Sequence, residues 1–200
     1  MPRIPLPATR DDLAEDAQRE VWDRVVAGPR GVVVGPLRAA IHNAELARNW
    51  SALGESLRFG TSLGKRLSEL AIIVTGRRWS AQVEWFVHAR VAAEAGLEAG
   101  VIEAIRDGRP PRFAQPDDAL VYDYARLLLQ EGDVPDALHA RATARFGVKG
   151  VVELTALVGY YSMVAMTLNA HGVPLPGDAP PPLAPPARGL FTLPPPDGAA

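Results

Sequence analysis

The segment from Leu67 to Val74 is apolar on almost every side when it is placed on a helix. A helix that is apolar all round has to be surrounded by other elements, so this segment predicts the centre of a folded core. One acid interrupts it, because Glu69 stands beside Leu70 and close to Ile72. An ionised carboxylate there needs a partner or a raised pKa. Glu69 is therefore a candidate functional residue.

The segment from Ser80 to Ala95 predicts a second helix with one apolar face. At about 100° per residue, that face contains Glu84 and His88 beside Trp85. Residues four apart lie one turn from each other and can touch, as they do in ordinary surface ion pairs. A surface pair would lie on the polar face, whereas this one lies in the apolar stripe. With Glu69, these residues predict a buried acid/base cluster.

Helical patterns account for most of the remaining chain. Thr9 and the acids that follow it predict the start of a first helix, which ends before Gly28. A second helix is predicted over 37–50, and residues 51–59 either continue it or start another. Further helices are predicted over 97–106, 120–130, 134–146 and 148–170. No segment alternates like a strand. The sequence predicts an all-α fold, a compact bundle of about eight helices joined by short loops.

The composition changes abruptly near the C-terminus. We expect a single helical domain over residues 1–178, with its core at 37–173, followed by a Pro-rich tail over 174–200. Two interpretations of the tail stay open: a disordered segment, or an arm across a neighbouring subunit anchored by Leu190, Phe191 and Leu193.

Charge and cysteine content exclude several classes of function. A net charge of -2 provides no basic surface for nucleic acid or an anionic membrane. The chain has no cysteine, and hence no thiolate nucleophile and no disulfide. The apolar run 154–168 is shorter than the roughly 20 residues of a membrane span, so it predicts a buried helix. Without a recognisable secretory signal, we expect a cytoplasmic protein.

Neither a metal nor a cofactor is predicted. Glu69, Glu84 and His88 are possible ligand types, but the chain lacks H-E-x-x-H and the paired E-x-x-H set of two-iron bundles. Phosphate-loop, dinucleotide and serine-hydrolase motifs are also missing. His171 ends the last predicted buried helix and can reach a pocket, while Tyr160 is expected to serve the core or to line the site.

Two motifs carry a resemblance to a known family. R-L-S-E-L-A-I-I-V-T-G is followed by V-E-W-F-V-H-A-R-V-A-A-E-A-G-L, and the chain later contains G-V-V-E-L-T-A-L-V-G-Y-Y-S-M-V-A-M-T-L-N-A-H-G-V-P-L-P. Over residues 37–178 the sequence resembles the carboxymuconolactone decarboxylase family, whose other branch is the alkyl hydroperoxidase D type. The resemblance implies an alkyl hydroperoxidase D-like helical bundle that assembles as a homo-oligomer, a trimer or hexamer.

The peroxidase branch of this family uses a C-x-x-C pair, a downstream His and an upstream Glu in a proton relay. His88 matches that His and Glu69 matches that Glu, but Ala81 and Glu84 occupy the two cysteine positions. Neither side chain can form a disulfide, so thiol peroxidase chemistry is excluded. The resemblance leaves the proton-transfer part of the site, which is all that the cofactor-free decarboxylase branch needs.

The resemblance implies roles for individual residues. His88 is the predicted general acid/base, Glu84 tunes it or shares its proton, and Glu69 orients it or relays the proton to solvent. Arg66 matches an Arg of the family motif and either binds a substrate carboxylate or pairs with Glu69. The other predicted substrate contacts are Trp85, Trp79, Tyr160 and His171.

Two classes of function follow from these observations. The first is a cofactor-free decarboxylase, lyase or isomerase that acts on a small lactone-like or unsaturated carboxylic acid. The second is a non-catalytic oligomeric helical protein with a small-ligand pocket. The enzyme hypothesis is favoured if Glu69, Glu84 and His88 open onto one cavity that can hold a small molecule, and the binding or structural hypothesis is favoured if their side chains point to different places.

Overall fold

Helices make up the regular structure of the computed structural model, which describes residues 1–186 and 189–198. Within those residues there is no strand, and the all-α prediction is confirmed. The helices are α1 (Asp16–Ala27), α2 (Pro36–Ala40), α3 (Ala44–Phe59), α4 (Lys65–Arg78), α5 (Gln82–Glu94), α6 (Ala99–Asp107), α7 (Pro116–Glu131) and α8 (Asp136–His171). Single 3-10 turns lie at Arg10–Asp12 and Pro176–Asp178.

Helix α4 lies at the centre of the molecule, as its apolar sequence predicts. Every residue from Leu67 to Arg77 is buried, and the helix packs against α5, α7 and α8. The turn after α4 is tight, because Ser80 adopts a left-handed φ of 49° and the Ala81 N–H donates to the Gly76 carbonyl at 2.9 Å. That turn brings α5 directly against α4.

Two breaks in the helices have clear local causes. The helix predicted over 37–50 is divided, because the Asn43 side chain accepts a hydrogen bond from the Leu46 N–H at 3.0 Å and caps a new helix, α3. Helix α8 is interrupted at Gly147, where φ is 72° and ψ is 170°, so the predicted division between 134–146 and 148–170 is present inside one long element. At the N-terminus, the start predicted at Thr9 forms only a 3-10 turn, and α1 begins at Asp16.

Helix α8 is long and apolar enough by composition to cross a membrane, the single such helix among the described residues. Half of its most apolar window is buried inside the protein. Its buried side chains include Leu154, Leu157 and Leu168, which belong to the core shared with α4. The segment therefore serves as a core helix in this fold.

The described part of the Pro-rich tail packs against helices of its own chain. Leu183 and Leu193 are 2% and 1% exposed, respectively. The Gln82 side-chain amide donates to the Leu183 carbonyl at 2.9 Å and accepts from the Leu183 N–H at 3.0 Å. The Phe191 ring lies 3.3 Å from the Arg77 guanidinium carbon. The expected anchors Phe191 and Leu193 thus bind their own domain, while Leu190 is exposed.

Candidate active site

Glu69 and His88 meet at the interface between α4 and α5. The Nδ1 atom of His88 lies 2.7 Å from the Oε2 atom of Glu69, and both side chains are buried. When Glu69 is ionised, the His88 Nδ1–H donates to it, which fixes the tautomer and leaves Nε2 as the nitrogen available for chemistry. This is the arrangement of an oriented general acid/base.

Glu84 lies one turn before His88 and has no such partner. Both of its carboxyl oxygens are buried, and neither forms a hydrogen bond within the described structure. Its carboxyl group rests on α4 at Gly76, where an added Cβ would lie 3.1 Å from Oε1. Burial raises the pKa of Glu84 well above its ordinary value, because the charged form loses its hydration. A carboxyl in this position favours its neutral, protonated form.

A cavity of about 430 Å³, which we call the central cavity, opens beside these residues. That volume lies within the range of small-molecule sites. Most of its wall is apolar and comes from α2, α8 and the residues that follow α8. The polar side chains in the wall are Glu84, His88, Tyr160, Tyr161, Arg30, Arg38 and Arg58.

Two tyrosines of α8 connect the histidine to the opposite wall. The Tyr161 ring meets the His88 ring edge-on, with centroids 5.1 Å apart, and the Tyr160 ring lies 5.3 Å from Tyr161. Burial raises the pKa of both hydroxyl groups, so they stay protonated and can donate hydrogen bonds. The cavity is therefore a largely apolar space with proton donors on two sides.

The predicted convergence of three titratable groups differs from the geometry in two ways. His88 bonds to Glu69, and no hydrogen bond joins it to Glu84, although their spacing permits contact. Glu69 lines a second pocket of about 430 Å³, which also contains Lys65 and Ser68 and shares Arg58 with the central cavity. Only Glu84 and His88 of the three line the central cavity, so the single-cavity arrangement that favours an enzyme is met by two of the three residues and not by Glu69.

Four of the five predicted substrate contacts lie outside the wall of the central cavity. Arg66 forms an ion pair with Asp118 and joins α4 to α7, instead of pairing with Glu69. Trp85 is one residue beyond Glu84 on α5, which turns its side chain into the core.

The other two predicted contacts outside the wall, Trp79 and His171, lie near the ends of α4 and α8. The Trp79 carbonyl accepts a hydrogen bond from the Asn169 amide at 2.8 Å. His171 lines a groove near the N-terminus together with His42. Tyr160 alone of the five predicted contacts is in the wall, so the substrate-binding set changes accordingly.

Two arginines in the wall of the central cavity are not predicted from the sequence. Arg30 lies in the turn after α1, before the part of the chain that carries the family resemblance, and Arg58 is at the end of α3. Both positions look like ordinary exposed charges in the sequence. A Gly-Pro-Arg-Gly turn was the one available hint at Arg30, because such a turn holds a side chain at a defined angle. Among the described residues, no group of three or more His, Asp or Glu side chains is placed to hold a metal.

Sequence comparisons find no matching family model and no matching curated protein. Structural comparison finds clear matches. An uncharacterized peroxidase-related protein from Ralstonia eutropha JMP134, described as an alkylhydroperoxidase AhpD core, superposes with a TM-score of 0.71 at 15% identity, over 88% of this chain and 93% of that one. A peroxidase-related protein from Silicibacter sp. TM1040 matches with a TM-score of 0.68 at 15% identity, over 86% and 90% of the two chains.

A third similar structure is the debrominase Bmp8, in a complex with 2,3,4-tribromopyrrole. It matches with a TM-score of 0.68 at 10% identity, over 86% of this chain and 91% of that one. These identities are low, but the matches cover nearly the whole length of each protein. The chain therefore has the alkyl hydroperoxidase D-like fold, in a sequence that contains no cysteine.

Proposed function

We propose that this protein is a cofactor-free acid/base enzyme that acts on a small lactone-like or unsaturated carboxylic acid by decarboxylation or isomerisation. One observation carries the proposal: a histidine oriented by Glu69 at 2.7 Å opens onto a cavity of about 430 Å³, and the wall of that cavity also includes Glu84, a buried acid without a hydrogen-bond partner. Buried acids and an oriented imidazole are typical of general acid/base sites. The chain has no cysteine, so it has no thiol for peroxidase chemistry.

In the decarboxylation that we propose, the bond between the substrate carboxylate and its carbon breaks, and carbon dioxide leaves. The electron pair moves into the adjacent unsaturated carbonyl and forms an enolate. His88 then delivers a proton to carbon and is recharged from solvent, so each turnover consumes one proton. Isomerisation uses the same residue, which removes a proton from one carbon and returns it to another. Glu69 orients the imidazole throughout.

Glu84 has a different role in this proposal. A neutral carboxyl group in an apolar site donates a hydrogen bond to a developing oxyanion and does not compete for the proton of His88. Its raised pKa and its empty hydrogen-bonding capacity both support that role. Both carboxyl oxygens are closed off from the cavity in the free protein, so this role requires the Glu84 side chain to turn toward the enolate oxygen when the substrate binds.

The test is a screen of lactones and unsaturated carboxylic acids, followed by ultraviolet absorbance without added cofactor. With a substrate from that screen, we expect His88→Gln to abolish turnover and to leave the thermal midpoint nearly unchanged. His139→Gln is a matched control, because His139 lies on α8 outside the central cavity. Full activity in the His88 variant would show that the proposed role is wrong.

A non-catalytic ligand-binding protein is the second candidate. The observation in its favour is that valine, leucine and proline side chains form most of the cavity wall, which is sufficient to hold an apolar ligand without chemistry. Tight binding of an acid from the screen with no change in its absorbance spectrum would favour this candidate.

A further inference from the structure

Arg30 is a charged side chain held in the wall of the central cavity without a charged partner. Its Nε atom is buried and has no hydrogen bond, and its Nη2 atom lies 3.4 Å from the Tyr160 hydroxyl. No carboxylate among the described side chains lies within ion-pair distance of it. The Nε–H is closed off from the cavity, so the donor capacity left for a ligand is on the two Nη nitrogens.

Helix α3 leaves space for the Arg30 guanidinium and the Tyr160 hydroxyl to lie against its backbone. Gly54 lies in the middle of α3, where glycine is less favourable than alanine. A Cβ built at Gly54 would overlap both the Tyr160 hydroxyl and the Arg30 Nη2 atom. The absence of a side chain therefore allows the guanidinium and the phenol to lie directly against the helix, where they are fixed relative to each other.

The charges in the wall do not balance. Arg30 and Arg58 both line the cavity, while Glu84, the acid in the same wall, favours its neutral form because it is buried. Arg38 is also in the wall, but its guanidinium donates to the carbonyls of Pro7 and Leu6, at 2.5 Å each. An apolar cavity with unpaired positive charge favours an anionic ligand.

We propose that Arg30 and Tyr160 form the subsite that recognises the carboxylate of the ligand. A carboxylate accepts two parallel hydrogen bonds from a guanidinium and has a remaining lone pair for the Tyr160 hydroxyl. Tyr161 separates this subsite from His88, with ring contacts of 5.3 Å and 5.1 Å on its two sides. The ligand is thus a compact carboxylic acid whose apolar body extends from Arg30 toward His88. The carboxylate at this subsite is not the group that leaves in a decarboxylation, because the carbon that His88 protonates lies beside His88; a substrate that is decarboxylated carries a second carboxylate there, whereas isomerisation needs only the one at Arg30.

This inference rests on the proposed function for the chemistry at His88, but binding alone tests it. The probes are benzoate and its neutral analogue benzamide, measured by isothermal titration calorimetry. We expect the native protein to bind benzoate about tenfold more tightly than benzamide, because a hydrogen bond to a charged group is worth about 1.5 kcal/mol or more. Arg30→Gln should lose about tenfold in benzoate affinity and keep its benzamide affinity.

Two further variants distinguish a direct contact with the carboxylate from the general electrostatic attraction of a positively charged cavity. Tyr160→Phe should weaken benzoate by a few-fold, since one neutral donor is lost. Arg38→Gln is the matched control: it removes the same charge from the same wall, but its guanidinium is already bound to Pro7 and Leu6, so we expect less than about a threefold loss.

The subsite would be overturned if Arg30→Gln bound benzoate as the native protein does. It would also be overturned if Arg38→Gln lost as much affinity, or if the native protein did not distinguish benzoate from benzamide. The His88→Gln variant should still bind benzoate. If the expected affinity ratios are measured but no turnover is found, the carboxylate subsite is supported and the proposed enzyme function is wrong. If the affinity ratios are not found but His88→Gln abolishes turnover, the enzyme function is supported and the subsite is wrong.

Discussion

Glu69 and Glu84 are buried to almost the same extent, at 3% and 2% exposure, and lie on neighbouring helices. Their surroundings are nevertheless opposite. Glu69 has an imidazole 2.7 Å away, whereas Glu84 has no hydrogen-bond partner and rests on the backbone at Gly76. Depth of burial alone therefore does not assign a role to a carboxyl group. The partner does, and in the proposed function it makes Glu69 an orienting group and Glu84 a neutral donor.

The largest effect should come from removing the charge of the partnered acid. We expect Glu69→Gln to lower turnover by about a hundredfold or more, because His88 loses the carboxylate that orients it and stabilises its charged form. The measurement is kcat on a substrate from the screen. Glu94→Gln is the control, since Glu94 is an exposed acid on α5. A Glu69→Gln variant with native kcat would remove the distinction between the two acids.

The unpartnered acid should instead control how stability depends on pH. The unfolded chain ionises Glu84 near its ordinary pKa of 4.5, whereas the folded protein keeps the proton until its raised pKa is reached. The contribution of Glu84 is therefore fully favourable below about pH 4.5 and is lost as the pH rises from there, at about 1.4 kcal/mol per pH unit. Urea unfolding of the native protein and of Glu84→Gln at several pH values measures this slope.

We expect Glu84→Gln to become steadily more stable relative to the native protein as the pH rises above about 4.5, until the raised pKa of Glu84 is reached. Parallel stability curves for native and Glu84→Gln proteins would mean that Glu84 is solvated or ionised in the fold.

The smallest expected effect tests the contact between the Glu84 carboxyl group and the α4 backbone at Gly76. Gly76→Ala should favour the helix by roughly 1 kcal/mol, but the new methyl group would lie 3.1 Å from Glu84 Oε1, which cancels the gain. In a Glu84→Ala background the gain should appear. A double-mutant cycle by urea unfolding should give a coupling of about 1 kcal/mol. Zero coupling would place the carboxyl elsewhere.

The sequence predicted the parts of the molecule that depend on local pattern. The buried character of α4 follows from its apolar composition on every side, and Glu69 and His88 were identified because each interrupts such a pattern. The choice of partner was not predictable in this way. Helical spacing permits a contact between Glu84 and His88, but the packing of α5 on α4 brings Glu69 closer.

Long-range contributions to the site escaped prediction for a related reason. Arg30 and Tyr160 are 130 residues apart, and nothing in the local sequence of either indicates that they meet above Gly54. Arg66 shows the converse, since its match to a family motif suggested a substrate contact, whereas Asp118 on α7 binds it. Periodicity identifies buried faces, but it does not say which faces meet.

The C-terminal tail has a consequence for where this protein can be shortened. Leu175 and Pro176 line the central cavity, and Leu183 and Leu193 fill gaps in the core. Phe191 shields the buried Arg77 guanidinium, whose pKa burial lowers to about 10. A boundary drawn at residue 178 would expose that cation and leave two holes in the hydrophobic interior. The tail beyond residue 178 therefore contributes apolar side chains to the same core as the helices.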